Sequence, residues 1–464
     1  MIGKPSRRTR CVRLVSMKSL FLAVAMMMAV CAIVPAYAYD LHEPCEAYFR
    51  VILQITEYGQ RSVGVIIDAG KPVKSDGLDC ETFKVWQHKV EWPGTSRERT
   101  AGFDGYRKVT RAYVNNEERI DNAELGAVEG RYIVLELEHG YFLGSEDHTY
   151  DPTSTRFALS FELTQMKPFG NVKAGDLLFT QIDAIDPVAD SFMTGSFVSS
   201  TQNGYFRGYR MGQMDYALYS PGGEDAEAQY PLVVVFHGGL ESKEFLKGMR
   251  REDKPQIMEY KSAAAFAAPA FQEAHGGAYV LAPWFTVMPQ DWYYSDEGTT
   301  VVMELIDYII REHPDINTNQ IYLAGLSSGG GMVWSMLIHQ DAKRFAGAIA
   351  IASVRLPTYE EARKIAAANL PIWLVHGAAD KVIDVQNSRI PAGYFQDMGY
   401  GNYNYTELLE IISSETGIEY SAGSQKGKVK TVLSHLSWIP VFNNEILDEQ
   451  TGLFILDWLF AQHR

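Results

Sequence analysis

The chain has 464 residues, which is more than one ordinary hydrophobic core accommodates and indicates two or three domains. A composition of 46% hydrophobic and 21% charged residues excludes an intrinsically disordered chain. The formal net charge of −15 argues against nucleic acids and anionic membranes as partners, because an acidic surface is repelled by both.

The first 38 residues predict a secretory signal peptide. They contain six basic residues, no acidic residue, an apolar run of 15 residues and then Ala36-Tyr37-Ala38. The run is shorter than the ~20 residues that cross a bilayer, and an uncleaved anchor is the alternative. Cleavage would leave 36 of the 42 basic and all 57 acidic residues, a net charge of −21. We expect a secreted or periplasmic protein, free of the membrane.

Signal cleavage would leave two of the four cysteines, Cys45 and Cys80. Two cysteines in an exported chain predict a disulfide, with two unlinked thiols as the alternative. The sequence contains no CxxC spacing and no His/Cys cluster typical of a zinc site. We therefore predict no metal site.

Short alternating segments typical of β-strands fill the next part of the chain. They lie at 48–53, 62–67, 82–86, 111–114, 131–137 and 156–161, with turn residues between them. This spacing predicts an antiparallel β-sandwich of about 100 residues or slightly more. We assign 39–165 to this all-β domain and 166–204 to a linker.

Continuous apolar strands alternate with helical patterns from residue 205 to residue 464. The strand segments are 230–236, 278–282, 320–324, 346–352 and 371–375, and the helical patterns include 299–313, 331–339 and 451–461. Unbroken apolar strands are buried on both faces, which predicts a mostly parallel sheet covered by helices. This second domain is therefore of the α/β class.

A Gly-Leu-Ser-Ser-Gly sequence at 325–329 stands between a predicted strand and a predicted helix. It fits the G-x-S-x-G nucleophile elbow, whose glycines leave room for a tight turn with the serine at its tip. This register makes Ser327 the nucleophile. A register centred on Ser328 begins with Leu326 and lacks the first glycine. An ordinary strand–helix turn is the other interpretation.

A serine is a weak nucleophile unless a base, oriented by an acid, takes its proton. Asp380 follows the apolar strand that ends in His-Gly-Ala-Ala-Asp, and Asp384 is its alternative. His435 has the chain order and the loop setting that the base requires. The other downstream histidines are His339, His463 and His376, the last of which we interpret as structural.

Acyl transfer also needs hydrogen-bond donors for the oxyanion that forms on the carbonyl. The Phe-His-Gly-Gly-Leu sequence at 236–240 follows an early strand and resembles the oxyanion loop of esterases. We predict that the backbone N–H groups of Gly239 and Ser328 are the donors, with Leu240 as an alternative to Gly239. A plain glycine turn is the other interpretation of this loop.

The stretch between Asp380 and His435 contains several tyrosines, followed by a predicted helix at 407–413. These tyrosines are interpreted either as packing the helix after the strand that precedes Asp380 or as part of a substrate-facing insertion. They are Tyr394, Tyr400, Tyr403 and Tyr405.

Four motifs together resemble the α/β-hydrolase superfamily over roughly 205–464, and within it secreted esterases and polyhydroxybutyrate-depolymerase-like hydrolases. They are His-Gly-Gly at 237–239, Gly-Leu-Ser-Ser-Gly at 325–329, His-Gly-Ala-Ala-Asp at 376–380 and His-Leu-Ser-Trp at 435–438. The β-rich front half is similar to the immunoglobulin-like domain that precedes some bacterial esterases. The resemblance implies an α/β-hydrolase fold with an eight-stranded, mostly parallel sheet and the triad on loops at its C-terminal edge. An all-β immunoglobulin-like sandwich would precede it.

The sequence therefore predicts a serine hydrolase that cleaves small-molecule or polymeric carboxylic esters without a cofactor. A peptidase of the prolyl-oligopeptidase type is one alternative, although its β-propeller would need more sequence than 39–200 provides. A binding protein with a hydrolase fold that has lost its catalytic activity is another alternative. By analogy alone, the front domain is expected to support homo-oligomer assembly or substrate access.

Overall fold

The computed structural model describes most of the chain from residue 45 onward. The described ranges are 45–57, 59–88, 105–120, 127–138, 160–202, 204–206, 209–210, 212–222, 227–239, 254–258, 260–284, 290–412, 414 and 433–464. The predicted signal peptide, residues 1–38, lies outside the described residues.

Two packed β-sheets form the first domain. Their strands are β1 (Cys45–Thr56), β2 (Gly59–Lys74), β3 (Phe83–His88), β4 (Gly105–Arg107), β5 (Val109–Asn115), β6 (Glu129–Leu137), β7 (Ser160–Gln165) and β8 (Leu177–Ile185). One sheet has the order β5-β6-β2-β1-β8 and the other has the order β4-β3-β7. Inward-facing residues of both sheets, including Val51, Val65 and Val85, form one hydrophobic core. The predicted sandwich is therefore confirmed.

The predicted linker, 166–204, is instead mostly regular structure. Strand β8 pairs with β1 in parallel and completes the first sheet. A short helix, α1 (Pro187–Ser191), separates it from β9 (Met193–Val198), which is already an edge strand of the second domain. Only α1 and its flanking residues therefore lie between the two domains.

The predicted disulfide between Cys45 and Cys80 is absent, because both cysteines are free and exposed. Cys45 begins β1, whereas Cys80 Sγ donates a 3.1 Å hydrogen bond to Thr110 O in β5. Three strand spacings separate β1 from β5 in the sheet, or about 14 Å. Disulfide-linked Cα atoms lie no more than about 7 Å apart.

The second domain is built on an eight-stranded sheet. Besides β9, its strands are β12 (Gln213–Tyr219), β13 (Tyr230–Phe236), β14 (Tyr279–Trp284), β15 (Ile316–Leu326), β16 (Gly347–Ile351), β17 (Ile372–Gly377) and β18 (Tyr403–Leu408). A separate two-stranded ribbon of β10 (Tyr205–Phe206) and β11 (Tyr209–Arg210) lies between β9 and β12 in the sequence. The order is β18-β17-β16-β15-β13-β14-β12-β9, and only β12 and β9 run antiparallel to their neighbours. The eight-stranded, mostly parallel sheet is confirmed.

Helices cover both faces of this sheet. They are α2 (Pro255–Met258), α3 (Ala263–Ala267), α4 (Pro269–Ala274), α5 (Gln290–Tyr293), α6 (Asp296–Glu312), α7 (Ser328–His339), α8 (Tyr359–Ala367), α9 (Gln386–Asp397), α10 (Trp438–Phe442) and α11 (Ile455–Phe460), with 3₁₀ turns at Ala342–Arg344 and Leu433–His435. Along β13, Val233 and Val235 enter one core, and Leu232, Val234 and Phe236 enter the other. Within the described ranges, no helix is both long and apolar enough to cross a membrane.

The predicted helix at 407–413 is wrong, because Glu407 and Leu408 end strand β18. The packing interpretation of the neighbouring tyrosines is correct. All four are partly buried against the core that includes Phe395 of α9, but two of them lie on the strand. They are Tyr394, Tyr400, Tyr403 and Tyr405.

The turn between β1 and β2 connects the two domains. Ile55 belongs to the same hydrophobic cluster as residues of the second domain. Next to it, Glu57 is buried and accepts a 2.6 Å hydrogen bond from Asn443 Nδ2, just after α10. Gln60 Nε2 donates to Asp186 Oδ2, the N-cap of α1, at 2.7 Å. Residues 45–464 accordingly form one compact unit.

Candidate active site

Ser327 lies at a strained turn between β15 and α7. Its backbone has φ 53° and ψ −112°, a conformation that costs a non-glycine residue roughly 1–3 kcal/mol. Three backbone hydrogen bonds hold it. The Ser327 N–H donates to Ile351 O at 2.8 Å, and the Ser327 carbonyl accepts from Gly331 and Val354 at 3.1 and 3.2 Å. The turn presents the side chain at the C-terminal edge of the sheet.

The glycines around Ser327 are required by close packing. A Cβ on Gly325 would lie 2.3 Å from Gly329 O, and one on Gly329 would lie 2.1 Å from Phe236 O. A Cβ on Gly330 would approach Ile351 O to 2.8 Å. No larger residue fits without moving backbone atoms, so these glycines fix the tight path of the turn.

The structure brings Ser327, His435 and Asp380 together. His435 Nε2 lies 3.1 Å from Ser327 Oγ, and His435 Nδ1 lies 2.6 Å from Asp380 Oδ2. Asp380 follows β17, and His435 ends a 3₁₀ turn that stops two residues before α10. The three residues therefore form one hydrogen-bonded chain, in the order nucleophile, base and acid that acyl transfer needs.

The alternative acid and bases lie in other settings. Asp384 Oδ1 accepts from Gln386 N at the start of α9. His339 is the last residue of α7, and His463 is exposed after α11. Ser327 Oγ is instead hydrogen-bonded to His435, which is in turn hydrogen-bonded to Asp380.

Three hydrogen bonds and one further close nitrogen surround the Asp380 carboxylate. Its Oδ1 accepts from the N–H groups of Val382 and Ile383, at 2.8 and 3.0 Å. Its Oδ2 faces His435 Nδ1 and, at 3.3 Å, His376 Nε2. Burial by itself would raise the pKa of Asp380, but the hydrogen bonds from His376 and His435 outweigh it and hold the pKa well below the usual range. The carboxyl group is therefore ionised at neutral pH.

The loop after β13 packs directly against the nucleophile turn. The carbonyl oxygens of Phe236 and His237 lie 2.1 and 2.7 Å from the point where Gly329 would carry a Cβ. Gly239 follows in the same loop, and Ser328 is the first residue of α7. The two predicted oxyanion donors therefore belong to segments in direct contact, and the direction of their N–H groups stays a prediction.

His237 has a role that the sequence did not reveal. The ring is buried, and burial lowers its pKa to about 4 although the hydrogen bond to Gly238 O works in the opposite direction. Its Nδ1 lies 2.7 Å from that carbonyl oxygen, which can only accept, so Nδ1 carries the hydrogen. The neutral ring thus fixes the path of the glycine loop.

Family models match both halves of the chain. The esterase immunoglobulin-like N-terminal domain matches residues 49–174, and the phospholipase/carboxylesterase family matches residues 224–413. The chain belongs to the α/β-hydrolase esterases that carry an immunoglobulin-like N-terminal domain. The protein is therefore an esterase-type hydrolase.

Solved structures resemble the esterase to different extents. The crystal structure of a thermostable esterase covers 90% of this chain and 99% of its own, with 23% identity and a TM-score of 0.65, which shows the shared fold. An acylaminoacyl peptidase of Pyrococcus horikoshii covers 47% of this chain and 37% of its own, with 16% identity and a TM-score of 0.31. A CE1 ferulic acid esterase of Anaeromyces mucronatus covers 47% and 82%, with 14% identity and a TM-score of 0.34. A search of curated protein sequences finds no match.

Two aromatic residues support the site of this esterase without having been predicted. The Trp438 ring packs edge-on against His435, with centroids 5.1 Å apart. Tyr294 donates from its hydroxyl to Ser328 O at 3.0 Å. Trp438 lies three residues after His435 in the His-Leu-Ser-Trp sequence, so its contact with His435 could have been inferred from the sequence. Tyr294 comes from the distant α5–α6 connection, and no local pattern identifies it.

Proposed function

We propose that this esterase is an exported serine hydrolase that cleaves carboxylic esters with Ser327, His435 and Asp380 through an acyl-enzyme. The observation that supports the proposal is the continuous pair of hydrogen bonds, 3.1 Å from His435 Nε2 to Ser327 Oγ and 2.6 Å from His435 Nδ1 to Asp380 Oδ2. Small-molecule and polymeric esters are both substrates that this chemistry would accept.

In the first half-reaction, Ser327 Oγ attacks the acyl carbonyl carbon while His435 Nε2 takes the hydroxyl proton. The electrons of the carbonyl double bond move to its oxygen, and the ionised Asp380 stabilises the imidazolium. Collapse of this tetrahedral intermediate breaks the ester C–O bond, and His435 gives its proton to the leaving alcohol. In the second half-reaction, His435 activates water, which releases the acid and restores Ser327.

The oxyanion would be stabilised by the backbone N–H groups of Gly239 and Ser328. Ser328 is suited to this because it opens α7, where N–H groups are not used within the helix and the helix dipole favours negative charge. The proposed steps require neither a metal ion nor an organic cofactor.

The deciding experiment compares Ser327→Ala with Ser328→Ala in hydrolysis of p-nitrophenyl acetate. We expect Ser327→Ala to lower kcat by about 10⁴-fold or more, because the nucleophile is lost. Ser328→Ala keeps its backbone N–H and should lose less than about tenfold. Full turnover by a correctly folded Ser327→Ala protein would refute the proposal.

A fluorophosphonate probe separates an active site from a retired one, since only an activated serine reacts with it. Labelling should occur in the wild-type protein and be lost in Ser327→Ala. Comparing short acyl esters with a proline-containing amide then separates an esterase from a peptidase of the prolyl-oligopeptidase type. We expect the ester to be strongly preferred.

Export and assembly are further parts of the proposal. We expect the mature protein to begin at Tyr39, after cleavage behind Ala38, and to lie in the periplasm or outside the cell. Mass spectrometry of the N-terminal peptide tests this, and an intact N-terminus would reject it. For assembly, light scattering of the intact mature protein would measure its oligomeric state, and a monomer would exclude assembly through the first domain.

A further inference from the structure

Asp380 Oδ2 faces two imidazole rings. One is His435, whose Nδ1 lies 2.6 Å away, and the other is His376, whose Nε2 lies 3.3 Å away. His376 belongs to the C-terminal end of β17, four residues before Asp380. The side chains of both His376 and Asp380 are fully buried. The carboxylate therefore meets a second histidine in an environment that water does not reach.

The surroundings of His376 determine which of its nitrogens carries the hydrogen. Nε2 lies 3.2 Å from Ile383 O as well as near the Asp380 carboxylate, and both of these oxygens can only accept. An Nε2 lone pair in this position would be repelled by both, so Nε2 carries the hydrogen. Nδ1 is then the acceptor, and it lies 2.8 Å from Ser388 Oγ in α9, whose hydroxyl donates to it.

We propose that His376 is a positioning residue that holds the Asp380 carboxylate in the orientation that serves His435. This inference rests on the proposed function, because His376 acts only through the acid of the triad. Without it, Oδ1 keeps two backbone donors on its own loop, but Oδ2 is held by His435 alone. The N–H of His376 lies between Ile383 O and Asp380 Oδ2, so it approaches Oδ2 from the strand side, and Ser388 fixes the ring.

The position of each partner matters for this role. His376 is on β17 and Ser388 is on α9, so the donor to Asp380 is anchored in the sheet and in a helix rather than in the loop that carries the acid. A buried carboxylate also needs donors to stay ionised, because hydrogen bonds to a charged group stabilise its charged form. His376 thus serves both the orientation and the charge of Asp380.

The test is a double-mutant cycle between His376→Leu and Asp380→Ala, with kcat and KM for p-nitrophenyl acetate as the readout. We expect His376→Leu alone to lower kcat by about 10–100-fold with KM nearly unchanged, since positioning partners of this kind have effects of that size. In the Asp380→Ala background the same change should cost nothing further, because its target is gone. Equal losses in both backgrounds would overturn the inference, since they would indicate a merely structural role.

Conservative variants keep the test decisive if His376→Leu does not fold. His376→Gln retains an N–H near the Nε2 position and should recover most of kcat. Ser388→Ala frees the ring and should lower kcat in the same direction by a smaller factor. His275→Gln removes a histidine that pairs with Asp457 at 3.0 Å in the same domain, and it should leave kcat unchanged.

The outcomes separate this inference from the proposed function. If Ser327→Ala retains turnover, the triad itself is wrong. If Ser327→Ala is inactive while His376→Leu matches the wild-type kcat, the triad stands and the positioning role fails. A His376→Gln protein as impaired as His376→Leu would likewise contradict the role, because the donor would then be irrelevant.

Discussion

Asn443 Nδ2 donates a 2.6 Å hydrogen bond to Glu57 Oε1, which joins residues 386 positions apart in the sequence. Glu57 is 2% exposed and lies in the turn of the first hairpin, whereas Asn443 directly follows α10. The helix α10 begins at Trp438, whose ring packs against His435. A residue of the sandwich domain is thus linked to the segment that carries the proposed base.

Asn443→Ala is expected to lower the free energy of unfolding by about 1–3 kcal/mol, because it takes a donor from a buried carboxylate. Urea denaturation measures this loss. The matched control is Asn402→Ala, which removes an exposed hydrogen bond to Asn369 and should change stability by less than about 0.5 kcal/mol. Equal effects of the two substitutions would contradict the importance of the interdomain contact.

Gly329→Ala should abolish activity and destabilise the fold, because its Cβ would lie 2.1 Å from the backbone oxygen of Phe236. Gly393→Ala in α9 is the matched control, since no atom beyond its own turn of helix backbone lies within 4 Å of the place that its Cβ would occupy. In a helix interior that change should stabilise by about 0.5–1 kcal/mol. Thermal unfolding and esterase assays on both variants test the pair. A folded, active Gly329→Ala protein would show that the turn can move.

The stability of the esterase should fall as the pH decreases from about 6.5 to about 4. The pKa of His237 is lowered by burial from 6.5 to about 4, so in this interval the unfolded chain binds a proton that the folded chain does not. The stabilising effect is complete above pH 6.5 and is lost as the pH falls towards the folded-state value. Its full size is about 3 kcal/mol.

His237→Asn tests this pH dependence, because asparagine retains a donor near the Nδ1 position but does not titrate. Its free energy of unfolding should change less steeply between pH 6.5 and pH 4 than that of the wild type. Urea denaturation at pH 8, where the histidine is neutral in both states, gives the structural cost of the substitution. Parallel pH curves for the two proteins would exclude His237 as the source.

Both remaining cysteines should react with maleimide in the folded mature protein without a reducing agent. Cys45 and Cys80 are exposed and unlinked, and three strand spacings keep them apart. Mass spectrometry should find two labels per chain, and none on a Cys45→Ser, Cys80→Ser double variant. An unlabelled native protein that gains two labels after reduction would reveal a disulfide.

Much of the site followed from local sequence. Ser327, Asp380 and His435 each stand just beyond a strand or before a helix, and these connections meet at one edge of a parallel sheet. The order of the motifs along the chain was therefore enough to predict that these three residues lie close together. The role of His376 was not predicted, because its partner Ser388 lies on a helix whose position depends on packing.

The parts of the fold that were missed depend on long-range pairing. Strand β8 lies in the predicted linker and pairs with β1, more than 120 residues earlier, at one edge of the sheet. Strand β18 is likewise an edge strand, and its Tyr403 and Tyr405 gave no clear strand pattern. Edge strands need only one apolar face, so their sequences resemble loops or helices.

The hairpin turn between β1 and β2 limits which sandwich domains from other proteins could replace the first domain of this protein. Ile55 enters the hydrophobic cluster of the second domain, and Gln60 donates to the buried Asp186 at 2.7 Å. A sandwich taken from another protein would have to offer an apolar side chain and an amide at the same two places. The two domains are consequently expected to diverge together, so that recombination at their boundary would yield poorly folded chimeras unless the hairpin and α1 were transferred as one piece.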